Sequence, residues 1–146
     1  MATIPDTIIG LDVGAKRVGV AVASLTARLP RPLITLNRGE AFFSMLTDVV
    51  NAEGARALVV GFPRGMQGQH TRQTGVIEDF TAELRHHFTL PIQYQDEALT
   101  SRHAEAELEA RGKPYQRGDI DALAATYILE DFLSEHHDLR LEELAQ

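Results

Sequence analysis

The sequence predicts an α/β fold in which helices flank one mixed five-stranded sheet. The first third of the chain holds three short segments with the two-residue period of β-strands. The rest alternates segments of helical period with apolar extended segments. Three strands followed by alternating helices and strands predict the order β-β-β-α-β-α-β-α-α, with the helices on the faces of the sheet.

Three strands open the chain. Residues 8–14 and 18–23 each alternate between two sets of side chains, and a turn at 14–17 joins them into a hairpin. A third extended segment, 33–36, follows two prolines that interrupt the chain. Together these segments predict an antiparallel meander.

Helices and strands alternate through the rest of the chain. The predicted segments are helices at 40–51, 71–87 and 100–112 and strands at 57–61 and 91–96. The first of these strands is a continuous apolar run, which is typical of a parallel strand covered on both faces. Asp119 is placed to cap a last helix, whose apolar stripe extends to Phe132.

Length and composition indicate a single globular domain. A chain of 146 residues is one domain by length, and we expect it to span 1–146, with a core at about 7–136 and an acidic, frayed tail at 137–146. The absence of cysteine excludes a disulfide framework, a thiolate metal site and a cysteine nucleophile. No apolar run is long enough to span a bilayer and no signal peptide is visible. We therefore expect a cytoplasmic protein that does not contact a membrane.

The net charge of −7 permits a nucleic-acid partner without arguing for one. Phosphate contacts normally require Lys and Arg. Residues 130–146, however, carry −5 of the charge, which leaves the preceding part of the chain close to neutral. Most basic residues are solvated surface residues in any protein, so the composition alone decides nothing.

Asp12 is the most informative residue, because it is a carboxylate inside an otherwise apolar strand. A buried charge is costly unless it is paired or coordinated. Further acids follow at Asp96 and Glu97, at the end of the fifth strand, and at Asp121, near the start of the last helix. Taken alone, the later acids could simply end a strand in solvent or favour a helix dipole. If the fold gathers them with Asp12, they form an oxygen-lined site for a divalent metal ion.

Four blocks in this order resemble the motifs of the YqgF/RuvX family, the Holliday-junction resolvases that are also described as pre-16S rRNA nucleases. Residues 12–21 are similar to the pattern DVGxKRxGVA, and 59–63 with Met66 and Gly68 are similar to a VVGLP…M.G loop. Residues 96–101 resemble a DERLT block, and 121–125 resemble a DxxAA helix. The resemblance extends from about residue 8 to residue 133.

The resemblance implies an RNase H-like fold and a metal-dependent phosphodiesterase site. Asp12, Glu97 and Asp121 would be the catalytic and metal-binding carboxylates, with Asp96 as an alternative or helper. They would hold Mg²⁺ or Mn²⁺, as two ions that Asp12 bridges. The residues expected to bind phosphates or nucleic acid are Gly14, Lys16, Arg17, Gly65, Gly68 and Arg117. Ala98 departs from the pattern, because the DERLT block normally has arginine there.

The functions that the resemblance implies differ in substrate and in activity. The first is a metal-dependent endonuclease that acts on structured nucleic acid, processing the 5′ end of pre-16S rRNA, resolving Holliday junctions, or both. The alternative is a catalytically weak factor that binds nucleic acid and assists rRNA maturation or transcription. An actin-like ATP-binding fold also opens with an Asp-x-Gly strand, but it needs two domains and several hundred residues. The expected partners are precursor rRNA or branched DNA, bound by a monomer or a weak homodimer.

Overall fold

The computed structural model describes residues 6–63, 71–97 and 100–144. The strands are β1 (Thr7–Val13), β2 (Arg17–Ser24), β3 (Arg31–Asn37), β4 (Ala55–Pro63) and β5 (Ile92–Glu97). The helices are α1 (Phe42–Glu53), α2 (Arg72–His87), α3 (Thr100–Arg111), α4 (Arg117–Glu135) and α5 (Leu141–Leu144). The predicted order of the first nine elements is confirmed.

One mixed sheet of five strands, in the order β3-β2-β1-β4-β5, organises the fold. β1, β2 and β3 pair antiparallel, which confirms the predicted meander. β4 pairs parallel with β1, and β5 pairs parallel with β4. The carboxyl ends of β1, β4 and β5 therefore lie along one edge of the sheet, where open α/β sheets form their sites.

One face of the sheet packs against α1 and α2. Odd-numbered residues of β1, such as Ile9 and Leu11, are fully buried there with Leu46 of α1 and Phe80 of α2. The helical period of α1 explains this packing, because Phe42, Leu46 and Val50 recur on one stripe and are the buried residues of that helix. This face carries most of the aromatic core and no candidate catalytic residue other than Asp96.

The other face packs against α4, which approaches the sheet unusually closely. A Cβ atom added at Gly10 would lie 2.6 Å from Cγ of Leu129, and one added at Gly61 would lie 2.5 Å from Cδ1 of Ile128. A Cβ atom at Gly19 would overlap the backbone carbonyl group of Asp121 itself. Glycines on three neighbouring strands thus allow α4 to lie against the sheet backbone between Asp121 and Leu129.

The capping role of Asp119 is confirmed, while the start of α4 and the tail differ from the predictions. The helix begins at Arg117, so Asp119 is its third residue rather than its N-cap. Asp119 instead accepts a hydrogen bond of 2.9 Å from the backbone N–H of Gln116, so it caps the helix from its third residue. The tail that was expected to be frayed forms α5, because Leu144 is buried in the core beneath α4.

Within the described part of the chain, none of the helices combines the length and the apolar character that crossing a membrane requires.

Candidate active site

Asp12 is the second-last residue of β1, on the face of the sheet that α4 covers. Ile8 and Gly10 precede it at the strand period, and both contact residues of α4. Asp12 keeps part of its surface accessible to solvent, so it lines a recess rather than an interior cavity. At Gly10 the space beside the strand is filled by Leu129 and by the backbone of α4.

The pKa of the Asp12 carboxyl group is strongly raised. Burial, and after it the nearby negative charge of Asp121, raise this pKa to about 7. The structure therefore brings these two acids, 109 positions apart in the sequence, close enough to repel each other. Such a pair is a poor arrangement for stability and a good one for binding a cation.

Asp121 lies one turn into α4, where it pairs with Arg17, the first residue of β2. The Nε–H group of Arg17 donates a hydrogen bond of 2.7 Å to Oδ2 of Asp121. The Asp121 side chain is 18% exposed and the Arg17 side chain is 33% exposed. The close packing of α4 on Gly19 explains the contact, because it brings the start of the helix over the start of β2.

The two adjacent acids at the end of β5 lie on opposite faces of the sheet. Gln95 donates a hydrogen bond to Glu135 of α4, so the strand period places Glu97 on the α4 face as well. Glu97 is buried, and its Cγ atom lies 3.8 Å from the point where Gly61 would carry a Cβ atom. Asp96 pairs with Phe62 in the register of β4 and β5, and Phe62 belongs to the core beneath α1 and α2. Glu97, not Asp96, therefore shares a face with Asp12.

Gly61 explains how Glu97 can extend toward Asp12. In the parallel register of β1 and β4, Leu11 is opposite Val60, so Gly61 is the next residue along, beside Asp12. A side chain at position 61 would occupy the space above the strand that separates the two acids. Glycine leaves this space to Glu97 and to Ile128. The strand order thus directs acids from β1 and β5 to one edge of one face.

These carboxylates suit a divalent metal ion chemically, although they do not form a closed cluster. Carboxylate oxygens are the ligands that Mg²⁺ and Mn²⁺ prefer, and the mutual repulsion of Asp12 and Asp121 would be relieved by such an ion. Within residues 6–63, 71–97 and 100–144, no three Asp, Glu, His or Cys side chains are already placed to hold a metal ion. The chemistry of the donors thus fits the expected metal, whereas their present arrangement does not surround an ion, and Asp121 is paired with Arg17.

The residues predicted to bind phosphates have different surroundings. Lys16 and Arg117 are exposed, whereas Arg17 is engaged with Asp121. The backbone N–H of Gly14 donates a hydrogen bond of 2.8 Å to the carbonyl oxygen of Arg17, so this amide already has a partner within the hairpin turn. Gly65, Met66 and Gly68 of the predicted loop, and Ala98 of the DERLT-like block, lie outside the described residues.

Arg38 is a residue of the site that the sequence did not single out. Its backbone N–H donates a hydrogen bond of 2.8 Å to the carbonyl oxygen of Lys16. Its Nη1 donates a hydrogen bond of 3.0 Å to the carbonyl oxygen of Gly14. Arg38 thus stabilises the turn that carries Lys16 and that follows β1 in the chain. Its contribution depends on the pairing of β2 with β3, so no local motif in the sequence indicated it.

Comparison with known proteins gives a consistent result. Residues 6–135 match the family described as "RuvX: Holliday junction resolvase". A protein of Chloroflexus aggregans named "Putative pre-16S rRNA nuclease" is 39% identical over 131 residues, which cover 87% of this chain and 92% of that protein. A protein of the same name from Chlorobaculum tepidum is 40% identical over 135 residues, which cover 88% and 94%.

Among solved structures, T. thermophilus RuvC in complex with a Holliday junction substrate is similar in fold. Its TM-score is 0.52 at 17% sequence identity, and the match covers 89% of this chain and 96% of that one. The five-stranded mixed sheet with flanking helices is therefore the RNase H-like fold that the sequence predicted.

Proposed function

The chain belongs to the RuvX family of Holliday junction resolvases, and we propose that it is a nuclease that uses divalent metal ions to hydrolyse phosphodiester bonds in structured nucleic acid. The observation that carries this proposal is the electrostatic coupling of Asp12 and Asp121. Two carboxylates, contributed by β1 and by α4, interact electrostatically at the end of the sheet where β5 also terminates. A fold that keeps such a repulsive pair in a recess has a use for a cation there.

Each acid has a distinct part in the proposed site. Asp12 is central, because its strand β1 is separated from β5, which carries Glu97, by β4. The helix that carries Asp121, α4, covers the same face of these strands. Bound divalent ions would stabilise the negative charge that develops on the attacking and leaving oxygens. The partial accessibility of Asp12 leaves a path for a phosphodiester to approach from solvent. The exposed Lys16, on a turn braced by Arg38, is placed to contact a neighbouring phosphate.

The substrate class follows from the relatives and from the surface of the site. The curated relatives carry names that refer to pre-16S rRNA, and the family description refers to Holliday junctions. We propose 5′-end processing of pre-16S rRNA as the principal role, in the cytoplasm, with Holliday junctions as a second substrate. Both are recognised mainly by shape and backbone, which suits a site lined by acids and a few exposed basic residues.

A catalytically weak nucleic-acid-binding factor is the second candidate. The open arrangement of the acids and the engagement of Asp121 by Arg17 favour it. The two candidates differ in one assay, in which the purified protein is incubated with precursor 16S rRNA and with a four-way DNA junction, with Mg²⁺ or with EDTA. The nuclease proposal requires Mg²⁺-dependent cleavage of at least one substrate. Binding of both without cleavage of either would establish the weak factor instead.

Glu97 and Asp96 lie on opposite faces of β5, which allows a test of which of the two acids binds the metal ion. We expect Glu97→Gln to reduce cleavage at least about 100-fold, because it removes a charged ligand from the face shared with Asp12. Asp96→Asn also replaces a carboxylate with an amide, but at the neighbouring position on the opposite face of the sheet. Cleavage by this variant should stay within about threefold of the wild type. Initial rates at saturating Mg²⁺ compare the two variants. A larger loss for Asp96→Asn would reassign the ligand.

A further inference from the structure

Arg17 brings a cation of the protein itself to Asp121, one acid of the acidic pair that Asp12 and Asp121 form. Arg17 makes an ion pair of 2.7 Å with Asp121, a residue 104 positions away. This ion pair includes a carboxylate of the candidate site. Both side chains keep some exposure to solvent, so the pair lies at the border of the recess rather than in the core.

This ion pair accounts for one carboxylate of the acidic pair. Arg17 contacts Oδ2 of Asp121, whereas Asp12 brings a second carboxylate from the neighbouring strand β1. Of the ion pairs that the described residues form, none includes Asp12. A divalent ion that binds both acids would bring a larger charge to the same place and would repel the guanidinium.

We propose that Arg17 is a resident counter-ion, which a divalent metal ion displaces from Asp121 when it binds. This inference rests on the proposed function and assigns Arg17 a role in regulating metal loading. A partly exposed ion pair is weak and readily exchanged, so the displacement is physically reasonable. The released guanidinium is planar and carries several donors, which suits the phosphate of a nucleic acid that arrives at the loaded site.

Arg17→Gln tests the proposal through metal affinity without any nucleic acid present. Removing the competing cation should tighten Mn²⁺ binding about three- to tenfold in a calorimetric titration of the full-length protein. A residue that merely positions Asp121 would have the opposite effect, because its loss would weaken Mn²⁺ binding. The matched control is Arg31→Gln, which removes the same charge from an exposed ion pair with Glu53 at the opposite end of the sheet. Its Mn²⁺ affinity should equal that of the wild type.

The wild-type protein gives a second readout that does not depend on the folding of a variant. The NMR signal of the Arg17 Nε–H group, identified by its loss in Arg17→Lys, should move toward the position of a free arginine as Mg²⁺ is added. The midpoint of this shift should match the Mg²⁺ affinity from calorimetry.

The possible outcomes separate this inference from the proposed function. If Mg²⁺ binds and supports cleavage while the Arg17 signal does not move, or if Arg17→Gln has unchanged or weaker Mn²⁺ affinity, the counter-ion role is wrong and the nuclease proposal stands. If the wild-type protein binds neither Mg²⁺ nor Mn²⁺, both are wrong. Tighter Mn²⁺ binding by Arg17→Gln, together with a raised KM for nucleic acid at saturating metal, supports the displacement and the proposed phosphate contact.

Discussion

Replacing Asp12 with asparagine will abolish Mg²⁺-dependent cleavage while making the metal-free protein more stable. Asparagine keeps the shape of the side chain but removes the charge that a metal ion needs, so we expect cleavage to fall by at least about 10³-fold. It also removes a carboxylate that burial and Asp121 both disfavour. Lower cleavage together with higher stability is the result expected for a functional acid, whereas replacing a structural acid would lower stability.

The pH dependence of stability shows why Asp12→Asn should stabilise the metal-free protein. The pKa of Asp12 is raised from 3.8 to about 7 on folding, so the folded protein holds this proton more tightly than the unfolded chain does. This residue therefore favours folding least at high pH, and its unfavourable contribution grows as pH rises from about 4 to about 7. In EDTA at pH 8, Asp12→Asn should raise the free energy of unfolding by about 2–4 kcal/mol.

Urea unfolding of wild type and Asp12→Asn at pH 5 and at pH 8, both in EDTA, measures this contribution. The stability difference between the two proteins should be smaller at pH 5, where only about a third of the contribution is expressed, than at pH 8. Asp79→Asn, on the exposed surface of α2, is the matched control and should change neither stability nor cleavage. An Asp12→Asn variant that cleaves normally, or that is less stable than the wild type at pH 8, would contradict the assignment.

Among the glycines that the structure describes, Gly19 should be the one at which alanine is most damaging. The added Cβ atom would overlap the backbone of α4 at Asp121, and a backbone cannot rotate away as a side chain can. We expect a loss of about 3 kcal/mol or more in the free energy of unfolding, at the upper end of overpacking effects. Because α4 must shift, Asp121 also moves away from Arg17, so cleavage should fall in the fraction that remains folded.

Gly75→Ala is the matched control for this change. Gly75 lies inside α2, and a Cβ atom there would have nothing within 4 Å. Alanine at this position should stabilise the protein by about 0.5–1 kcal/mol, through helix propensity alone. Thermal unfolding of both variants compares them directly. If Gly19→Ala were as stable as the wild type, the close contact between α4 and β2 would not exist in solution.

Much of the fold was predictable because its signals are local. The hairpin of β1 and β2, the apolar run of β4 and the stripe of α1 each follow from periods of two or 3.6 residues, and the structure has them in the expected order. The short α5 was missed, because nothing in the polar tail shows that Leu144 reaches a core built from distant elements.

The site was only partly predictable, because its decisive contacts are long-range. The carboxylate inside β1 indicated Asp12, and period two alone could not choose between Asp96 and Glu97 without knowing which face α4 covers. The pairing of Arg17 with Asp121 depends on how closely α4 lies against Gly19. Gly19 is visible in the sequence, but the packing of the whole of α4 decides which part of the helix approaches it.

The central claim is that acids from β1, β5 and α4 share a divalent ion on the α4 face of the sheet. A crystal grown with Mn²⁺ and measured at the manganese absorption edge tests it most directly. We predict an anomalous peak within coordination distance of carboxylate oxygens of Asp12, Glu97 and Asp121. A fully loaded crystal whose manganese lies elsewhere, with these carboxylates directed apart, would contradict the account.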